Sequence, residues 1–358
     1  MIDIKEMQAA VLVEQNQPLV VDEVELPTAL DYGQVLVEVH YSGLCGSQLG
    51  EIKGVKGADK FLPHLLGHEG SGVVLDVGPR VSCVNIGDHV VMHWRAGRGI
   101  EACPPVYKWR GEVLNAGYVT TLNEYAIVSE NRLTTIPKDY PMDLAPLFGC
   151  AVTTGLGVVE NNANLKMGES IVVIGAGGIG LNVIQGALLR HAYPIIAVDL
   201  YENRLSLAEK IGATHCINTN LTENWPEVIR EHVGVEGADV VVDNTGNSGI
   251  ISTCIELTKP QGRTILVGVP KTGDPVSLYT LPLHFGKVLV GSHGGDGNPT
   301  LDIPRYLRLS KKNIISLSPL ITERFSLLET NTAVERMKNG SLSGRCLISM
   351  KTERKRLG

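Results

Sequence analysis

Several features that would place this chain in other protein classes are missing from its 358 residues. It has no excess of basic residues: 32 Lys and Arg stand against 38 Asp and Glu, and the net charge of −6 argues against a nucleic-acid or anionic-membrane partner. It has no uninterrupted apolar run long enough to span a membrane. Its first residues carry charges where a signal peptide needs an apolar core, so we expect a cytoplasmic protein.

The chain also lacks a regular cysteine framework, an internal repeat and a low-complexity tract. Its 7 cysteines fit free thiols and metal ligands better than disulfides. The hydrophobic fraction of 43% and the charged fraction of 20% suit a globular protein with a sizeable core, and the length favours about two domains. The basic segment 351–356 is expected to be a solvated tail.

The segment 170–199 is the most informative part of the chain. An apolar, β-branched run at 171–174 leads into GAGGIG at 175–180, a helical pattern follows, and a second apolar run ends at Asp199. A strand, a glycine-rich turn, a helix and an acid about 20 residues further on form the pattern of a dinucleotide-binding unit. A buried strand–helix turn that binds nothing is the alternative interpretation.

Each glycine of this turn has an expected purpose. Gly175 would permit the tight turn, Gly177 would let backbone approach a pyrophosphate, and Gly180 would let the helix pack against the strand. The phosphates would sit at the helix N-terminus. Asp199 would accept hydrogen bonds from the adenosine ribose and repel a 2′-phosphate, which favours NAD over NADP. The expected turn residues are Gly175, Gly177, Gly178, Ile179 and Gly180.

The pattern of apolar residues changes along the chain. Up to about residue 137 short β-type runs broken by glycine predict a mostly antiparallel β domain, for example at 34–41, 71–77 and 89–93. After residue 165 strands and helices alternate, which predicts an α/β fold with a doubly wound parallel sheet of six strands. The expected strands are 171–174, 195–199, 215–217, 239–243, 263–267 and 288–291, with helices at 203–211, 226–233 and 248–258. Beyond them we expect helices near 303–310 and 328–339, and a strand at 346–350 that could rejoin the first domain.

Three residues in glycine-flanked motifs form a candidate metal centre. Cys45 lies in GLCGSQ, His68 precedes Glu69 in GHEGSG, and Cys150 lies in LFGCAVTTGLG. Two thiolates and an imidazole suit a soft or borderline ion, and three protein ligands leave a fourth position open, as in a catalytic zinc site. Each residue alone is more often a small core cysteine or an ordinary polar group. Their occurrence together beside a dinucleotide-binding pattern predicts the metal centre.

With the motifs GLCGS, GHEGSGVV, GDHV, GCAVTTGLG, VVIGAGGIG and GATHCIN, nearly the whole chain resembles the zinc-dependent medium-chain alcohol dehydrogenase family. The resemblance implies a β-rich, chaperonin-like catalytic domain formed by 1–153 and 292–358, with a Rossmann coenzyme-binding domain at 154–291. It implies reversible, NAD-linked oxidation of an alcohol to an aldehyde or ketone. It also implies a homodimer or homotetramer, joined through the strand at 288–291.

The family's functional residues can be carried over where the motifs match. Cys45, His68 and Cys150 resemble the ligands of the catalytic zinc, Glu69 resembles an acid close to that metal, and Ser47 resembles the hydroxyl that passes the substrate proton outward. The coenzyme contacts would be Thr154 near the nicotinamide, Arg204 beside the adenosine ribose, Arg345 on the pyrophosphate, and backbone around Val267 and Val269 at the carboxamide. The alternatives are a loop-orienting role for Glu69, a turn serine for Ser47, and surface cations for Arg204 and Arg345.

The chain departs from the family pattern at several positions. The region 94–117 contains only Cys103, where many members have four cysteines, so we expect one catalytic zinc and no structural zinc. Gly50 stands where a relay histidine is frequent, and Glu51 or His40 are weak substitutes. Gly46 replaces a basic residue that often contacts the pyrophosphate. Gln48 replaces an acid that supports the zinc histidine.

The sequence favours one class of substrate and leaves a second open. A simple primary or secondary alcohol is the first choice, because Cys150 is retained where the polyol branch often has an acid; a polyol, cyclitol or sugar is the second. Trp94 lines the pocket or packs at a domain interface. The cations after it are solvated loop charges or attract an anionic substrate: Arg95, Arg98, Lys108 and Arg110. A non-catalytic dinucleotide-binding relative is a third reading, favoured by the missing relay histidine.

Overall fold

The computed structural model describes residues 4–350, so the predicted basic tail at 351–356 lies outside the described residues. The strands are β1 (Glu6–Leu12), β2 (Val20–Glu25), β3 (Gln34–Gly43), β4 (His64–Leu65), β5 (Glu69–Val77), β6 (His89–His93), β7 (Tyr107–Trp109), β8 (Glu112–Leu114), β9 (Tyr125–Ser129), β10 (Leu133–Ile136), β11 (Ile171–Ile174), β12 (Ile195–Asp199), β13 (His215–Asn218), β14 (Ala238–Asp243), β15 (Thr258–Leu266), β16 (Val288–Gly291), β17 (Ile321–Ser326) and β18 (Arg345–Ser349). The helices are α1 (Gly46–Ile52), α2 (Ala151–Gly157), α3 (Gly178–Leu189), α4 (Glu202–Ile211), α5 (Trp225–Val233), α6 (Ser248–Leu257), α7 (Leu281–His284), α8 (Pro299–Lys311) and α9 (Thr330–Lys338).

The six strands between residues 171 and 291 form a parallel sheet. Its order is β13-β12-β11-β14-β15-β16, and every neighbouring pair is parallel, which confirms the doubly wound arrangement. The central strands β11 and β12 are completely buried, as expected for strands covered by helices on both faces. The chain reverses its direction of winding between β11 and β14, and a crevice for a ligand opens at the carboxyl ends of strands at such a point.

Two mostly antiparallel sheets form the remainder. One has the order β4-β1-β2-β7-β8, and the other has the order β10-β6-β5-β3-β18-β17 with β9 also paired to β3. Along β3 the side chains of Val35, Val37 and Val39 are buried in one cluster with Val74 and Val90. Strand β18 pairs antiparallel with β3, so the C-terminal segment rejoins the first sheets as predicted.

The division of the chain at residue 153 stays a prediction. This position lies inside α2, and one continuous hydrophobic cluster contains Val91 and Phe148 from one side of it together with Leu181 and Ile184 from the other. Within residues 4–350, no helix has both the length and the apolar character that a membrane span requires.

Two elements, β15 and α8, begin four or more residues earlier than predicted. Strand β15 begins at Thr258, five residues before the expected start, because its first part includes Pro260 and Gly262 and pairs with β14 through a shift in register. Helix α8 begins at Pro299 instead of residue 303. Proline is favoured in the first turn, and the Asn298 side chain caps the helix by accepting from the Thr300 N–H.

Candidate active site

Three chain segments bring Cys45, His68 and Cys150 together. Cys45 follows β3 and precedes α1, His68 lies immediately before β5, and Cys150 precedes α2. Their donor atoms lie within 4.8 Å of one another, and within residues 4–350 they form a group that could hold a metal ion. The predicted ligands therefore converge, although 105 residues separate the first from the last.

Close backbone packing brings Cys150 to this point. A Cβ atom at Gly149 would lie 2.4 Å from the Met92 carbonyl oxygen and 2.9 Å from Cα of Glu69. Only glycine allows this approach of the segment before α2 to β5 and β6. The thiol of Cys150 is consequently held beside the strand that begins next to His68.

The two thiols and the imidazole shift one another's pKa values. The Cys150 thiol donates to Cys45, and this hydrogen bond, with the nearby charges of Arg345 and His68, lowers the pKa of Cys45 well below its usual value despite burial. The same hydrogen bond, together with burial, raises the pKa of Cys150. Burial opposes the charge on His68, but its hydrogen bond to Cys45 and the charge of that thiolate outweigh burial and raise the pKa of the ring. The cluster thus favours a thiolate, which is the form that binds a metal.

Helix α1 places two polar side chains beside the cluster. The Oγ atom of Ser47 is buried and has no hydrogen-bond partner within the described part of the chain. Gln48 is completely buried: its Oε1 accepts the Cys45 N–H at 2.8 Å, and its Nε2 contacts Nδ1 of His68. The Ser47 hydroxyl is therefore available to a ligand, whereas Gln48 is engaged by two of the segments that carry the cluster.

A buried ion pair lies next to the thiols. Glu69 is 1% exposed and Arg345 is 3% exposed, and Nη1 of Arg345 lies 3.6 Å from Oε1 of Glu69. The same Nη1 donates to the Leu44 carbonyl oxygen at 3.1 Å. Burial raises the pKa of Glu69, although the guanidinium and the Ala151 N–H act in the opposite direction. Two Arg345 nitrogens, Nε and Nη2, are buried without a partner among residues 4–350.

The glycine-rich turn has the geometry that its sequence predicts. Gly175 has φ +90°, and a Cβ atom at Gly180 would lie 2.1 Å from the Gly175 carbonyl oxygen, so the helix packs tightly on the turn. A Cβ atom at Gly177 would meet no atom within 4 Å. At Gly178 it would lie 2.4 Å from Nε of Arg345. Gly177 therefore borders open space at the start of α3, and Arg345 reaches that helix from the metal cluster.

Asp199 ends β12 and is bound to this turn. Its Oδ2 accepts the Ala176 N–H at 2.8 Å, and its Oδ1 accepts the Tyr201 N–H at 3.1 Å. Nη1 of Arg204 lies 3.6 Å from Oδ2, and its guanidinium stacks on the Tyr201 ring at 4.8 Å. Nε of Arg204 donates to the Leu342 carbonyl oxygen, so this residue is not a solvated helix charge. Tyr201 was not predicted as a site residue, although its position two residues after Asp199 could have indicated a contact with the same ligand.

The other predicted coenzyme residues lie on α2, in the first turn of α3 and after β15. Thr154 is buried within α2, and its carbonyl oxygen lies 2.5 Å from where a Cβ atom of Gly295 would be. Ile179 is half-buried in the first turn of α3. Val267 is half-buried and Val269 is 53% exposed after β15. The roles of these four residues in coenzyme binding stay predictions.

The segment after β6 links the two halves of the chain. The Trp94 ring packs edge-to-face on His293 with a centroid distance of 4.9 Å. Nε of Arg95 donates to the Gly297 carbonyl oxygen at 3.0 Å, and its Nη1 contacts both Nδ1 and the carbonyl oxygen of His293. Arg95 therefore joins the segment after β6 to His293 and Gly297. It was expected to be a solvated loop charge or to attract an anionic substrate. Trp94 and His293 both belong to the predicted catalytic domain, so this contact tests neither pocket lining by Trp94 nor its packing at a domain interface.

Comparison with known proteins agrees with this geometry. Residues 31–138 match the alcohol dehydrogenase GroES-like domain, and residues 178–312 match the zinc-binding dehydrogenase family. S-(hydroxymethyl)glutathione dehydrogenase of Paracoccus denitrificans is 32% identical over 93% of this chain and 97% of its own length. Alcohol dehydrogenase class-3 of Cereibacter sphaeroides is 31% identical with the same coverage.

Solved structures show the same relationship. The zinc-binding alcohol dehydrogenase domain protein of Burkholderia ambifaria has a TM-score of 0.88 at 28% identity, and benzyl alcohol dehydrogenase of Acinetobacter calcoaceticus has a TM-score of 0.87 at 27% identity. Each alignment covers 97% of this chain and 100% of the other. The sequence motifs, the fold and these relatives lead to one conclusion: the chain belongs to the zinc-dependent medium-chain alcohol dehydrogenase family and is an oxidoreductase that acts on an alcohol.

Proposed function

We propose that this enzyme oxidises a primary or secondary alcohol to the aldehyde or ketone, reversibly and with NAD, at a centre in which Cys45, His68 and Cys150 hold one zinc ion. The observation that carries the proposal is the convergence of the three donor atoms within 4.8 Å. Two sulfur donors and one nitrogen donor suit zinc, and a set of three leaves one position for substrate. The lowered pKa of Cys45 supports the same assignment, because the thiolate is the ligand form.

The residues around the centre can position a substrate and move its proton. Bound zinc would supply Lewis acidity at the substrate oxygen, and a bound nicotinamide would supply the hydride acceptor. The buried, unpartnered Oγ of Ser47 can accept the hydroxyl proton and pass it outward. Gly50 offers no side chain that could take the proton from Ser47, so a bound coenzyme ribose or water would have to accept it. The sequence offered His40 and Glu51 as substitutes for the relay histidine. Nε2 of His40 lies 3.5 Å from Oε2 of Glu38, and Glu51 lies on α1, four residues after Ser47.

Glu69 and Arg345 are proposed to support the metal centre and the coenzyme respectively. The buried Glu69 carboxyl lies beside the thiols and is proposed as the acid that approaches the metal during ligand exchange. Arg345 has two unpartnered buried nitrogens next to Gly178 at the start of α3. A guanidinium with free donors is well suited to a pyrophosphate. This fit, with the open space at Gly177, supports coenzyme binding across the turn.

The choice of NAD is proposed from Asp199. Its carboxylate accepts two backbone N–H groups and retains lone pairs for the hydroxyls of a ribose. A 2′-phosphate in the same place would meet a negative charge. Arg204 and Tyr201 flank this carboxylate and are proposed to border the adenosine. Thr154, Ile179, Val267 and Val269 are proposed to line the nicotinamide half of the crevice.

We also propose that the protein binds no second, structural zinc. The region 94–117 contains Cys103 alone, and a closed zinc site needs four ligands. Cys103 is exposed, and its carbonyl oxygen accepts the side chain of Gln34. This loop is therefore held by a side chain of β3.

We also propose the domain division, in which 1–153 and 292–358 form the catalytic domain and 154–291 forms the coenzyme-binding domain. Copies of the chain are proposed to associate as a homo-oligomer through β16. Strand β16 is the edge of the parallel sheet. Large apolar side chains beside this edge are exposed, among them Tyr279, Phe285 and Val288. Light scattering should give a multiple of 38.5 kDa. A Phe285→Lys variant should shift the mass toward the single chain, and a monomeric wild-type protein would contradict the proposal.

One experiment tests the metal assignment and the activity together. Wild type, Cys150→Ser and the control Cys254→Ser, which removes a buried thiol on α6, are compared for zinc content and for NADH absorbance. Wild type and Cys254→Ser should hold one zinc per chain and reduce NAD, whereas Cys150→Ser should lose both properties. The substrates should include simple alcohols, benzyl alcohol, S-(hydroxymethyl)glutathione, polyols and sugars. Full zinc and full activity in Cys150→Ser would overturn the assignment.

A further inference from the structure

Gln48 connects two segments of the metal centre through one amide group. Its side chain is 1% exposed, its Oε1 accepts the Cys45 N–H at 2.8 Å, and its Nε2 contacts Nδ1 of His68. A backbone N–H can only donate, so the first hydrogen bond fixes the orientation of the amide. The oxygen faces Cys45, and the NH2 group faces His68.

This orientation determines which nitrogen of His68 carries its proton. An NH2 group donates and cannot accept, so the Nδ1 atom that faces it must present a lone pair. The proton of the neutral ring then lies on Nε2, the nitrogen left for a metal. A ligating imidazole needs the opposite arrangement: a lone pair toward the metal, and an N–H on the other nitrogen that donates to an acceptor.

Metal binding therefore competes with the hydrogen bond to Cys45. Turning the amide of Gln48 would present Oε1 to an N–H at Nδ1 of His68, but it would place the NH2 group against the Cys45 N–H. One amide oxygen in this position satisfies one of the two donors, whereas a carboxylate of the same shape has an oxygen for each.

We propose that Gln48 is a positioning residue that holds His68 in the tautomer that does not bind metal and thereby weakens the retention of the ion at this centre. The inference rests on the proposed function, in which Cys45, His68 and Cys150 bind zinc. It makes His68 the ligand that the metal loses most readily, since this amide contacts the ring of His68 but only the backbone of Cys45.

The isosteric variant Gln48→Glu tests the proposal through zinc affinity measured by competition with a chelator. Glutamate would accept from both Cys45 and His68, and we expect the dissociation constant for zinc to fall about 10- to 100-fold, the size of effect usual for such supporting groups. Gln34→Glu is the matched control. Gln34 is also buried, accepts the Asp31 N–H and donates to the Cys103 carbonyl oxygen, away from the centre. Its zinc affinity should equal that of wild type.

The outcomes separate this proposal from the proposed function. If Cys150→Ser binds zinc as tightly as wild type, the three-ligand centre itself is wrong. If zinc binding depends on Cys150 but Gln48→Glu binds no more tightly than wild type, the role of Gln48 is overturned and the centre stands. Tighter binding in Gln34→Glu as well would assign the effect to charge alone and would also overturn it.

A second measurement locates the proton of His68 directly, and its wild-type arm needs no variant at Gln48. In the zinc-free wild-type protein labelled with 15N-histidine, NMR should show the proton of His68 on Nε2, with the signal assigned by its loss in His68→Asn. After zinc is added, the proton should be on Nδ1. In zinc-free Gln48→Glu it should already be on Nδ1. A wild-type His68 with its proton on Nδ1 before zinc is added would overturn the proposal.

Discussion

Replacing Gly177 with alanine separates coenzyme binding from folding at the glycine-rich turn. A Cβ atom at this position meets no atom within 4 Å. The backbone there has φ −76° and ψ −170°, which any L-residue adopts. The free energy of unfolding should therefore stay constant or rise by about 0.4–1 kcal/mol, because alanine restricts the unfolded chain more than glycine does.

The coenzyme should respond differently. The open space at Gly177 adjoins the first N–H groups of α3, where the pyrophosphate is proposed to bind. A methyl group there would keep the phosphate from at least one charge-assisted hydrogen bond, which is worth about 1.5–3 kcal/mol. That loss corresponds to a Kd for NADH that is about 10- to 100-fold higher.

Gly180→Ala is the control for the fold. Its Cβ would lie 2.1 Å from the Gly175 carbonyl oxygen, so the turn must move. NADH binding by fluorescence titration and thermal unfolding should be measured on both variants. Gly177→Ala should lose affinity at an unchanged or slightly higher Tm, whereas Gly180→Ala should lose both affinity and thermal stability. A folded Gly177→Ala that binds NADH like wild type would refute the placement of the pyrophosphate.

Two further predictions concern a buried imidazole and the choice of coenzyme. Burial lowers the pKa of His93 from 6.5 to about 4, so this group stabilises the fold fully above pH 6.5 and the contribution is lost as the pH falls toward 4. Between pH 7.5 and 5 the free energy of unfolding, from urea titrations, should fall about 2 kcal/mol further for wild type than for His93→Asn, and equal falls would contradict the neutral ring. Asp199→Ala should raise the ratio of NADP to NAD use about tenfold in steady-state assays, and a wild-type preference for NADP would defeat this explanation.

The coenzyme-binding sheet was predictable because its central strands β11 and β12 are buried on both faces and appear as continuous apolar runs. The predicted bounds 171–174, 195–199 and 288–291 are those of the observed strands. The short hairpin β7–β8 was not predicted, because strands of three residues carry too little pattern, and its second strand exposes two of its three residues.

The metal centre was predictable in composition but not in its supporting contacts. Cys45, His68 and Cys150 were identified from their motifs. Their convergence depends on β3 and β5, which were predicted as strands, and on α2, which was not predicted. The connection from Arg95 to His293 spans 198 residues, and no local pattern records such a contact. The sequence therefore predicted which three residues converge, while the contacts that hold them had to come from the fold.

Arg345 shows why metal centre and coenzyme turn should be considered as one unit. Its guanidinium donates to the carbonyl next to Cys45, pairs with Glu69 and reaches Gly178 at the start of α3. Burying such a cation with unpartnered donors costs free energy unless a ligand supplies acceptors. In the proposed function the pyrophosphate would supply an acceptor for Nε, the unpartnered nitrogen that lies beside Gly178 at the start of α3. Because β18 carries this residue and pairs with β3 immediately before Cys45, the return of the C-terminal segment to the first sheets is what joins the two halves of the site.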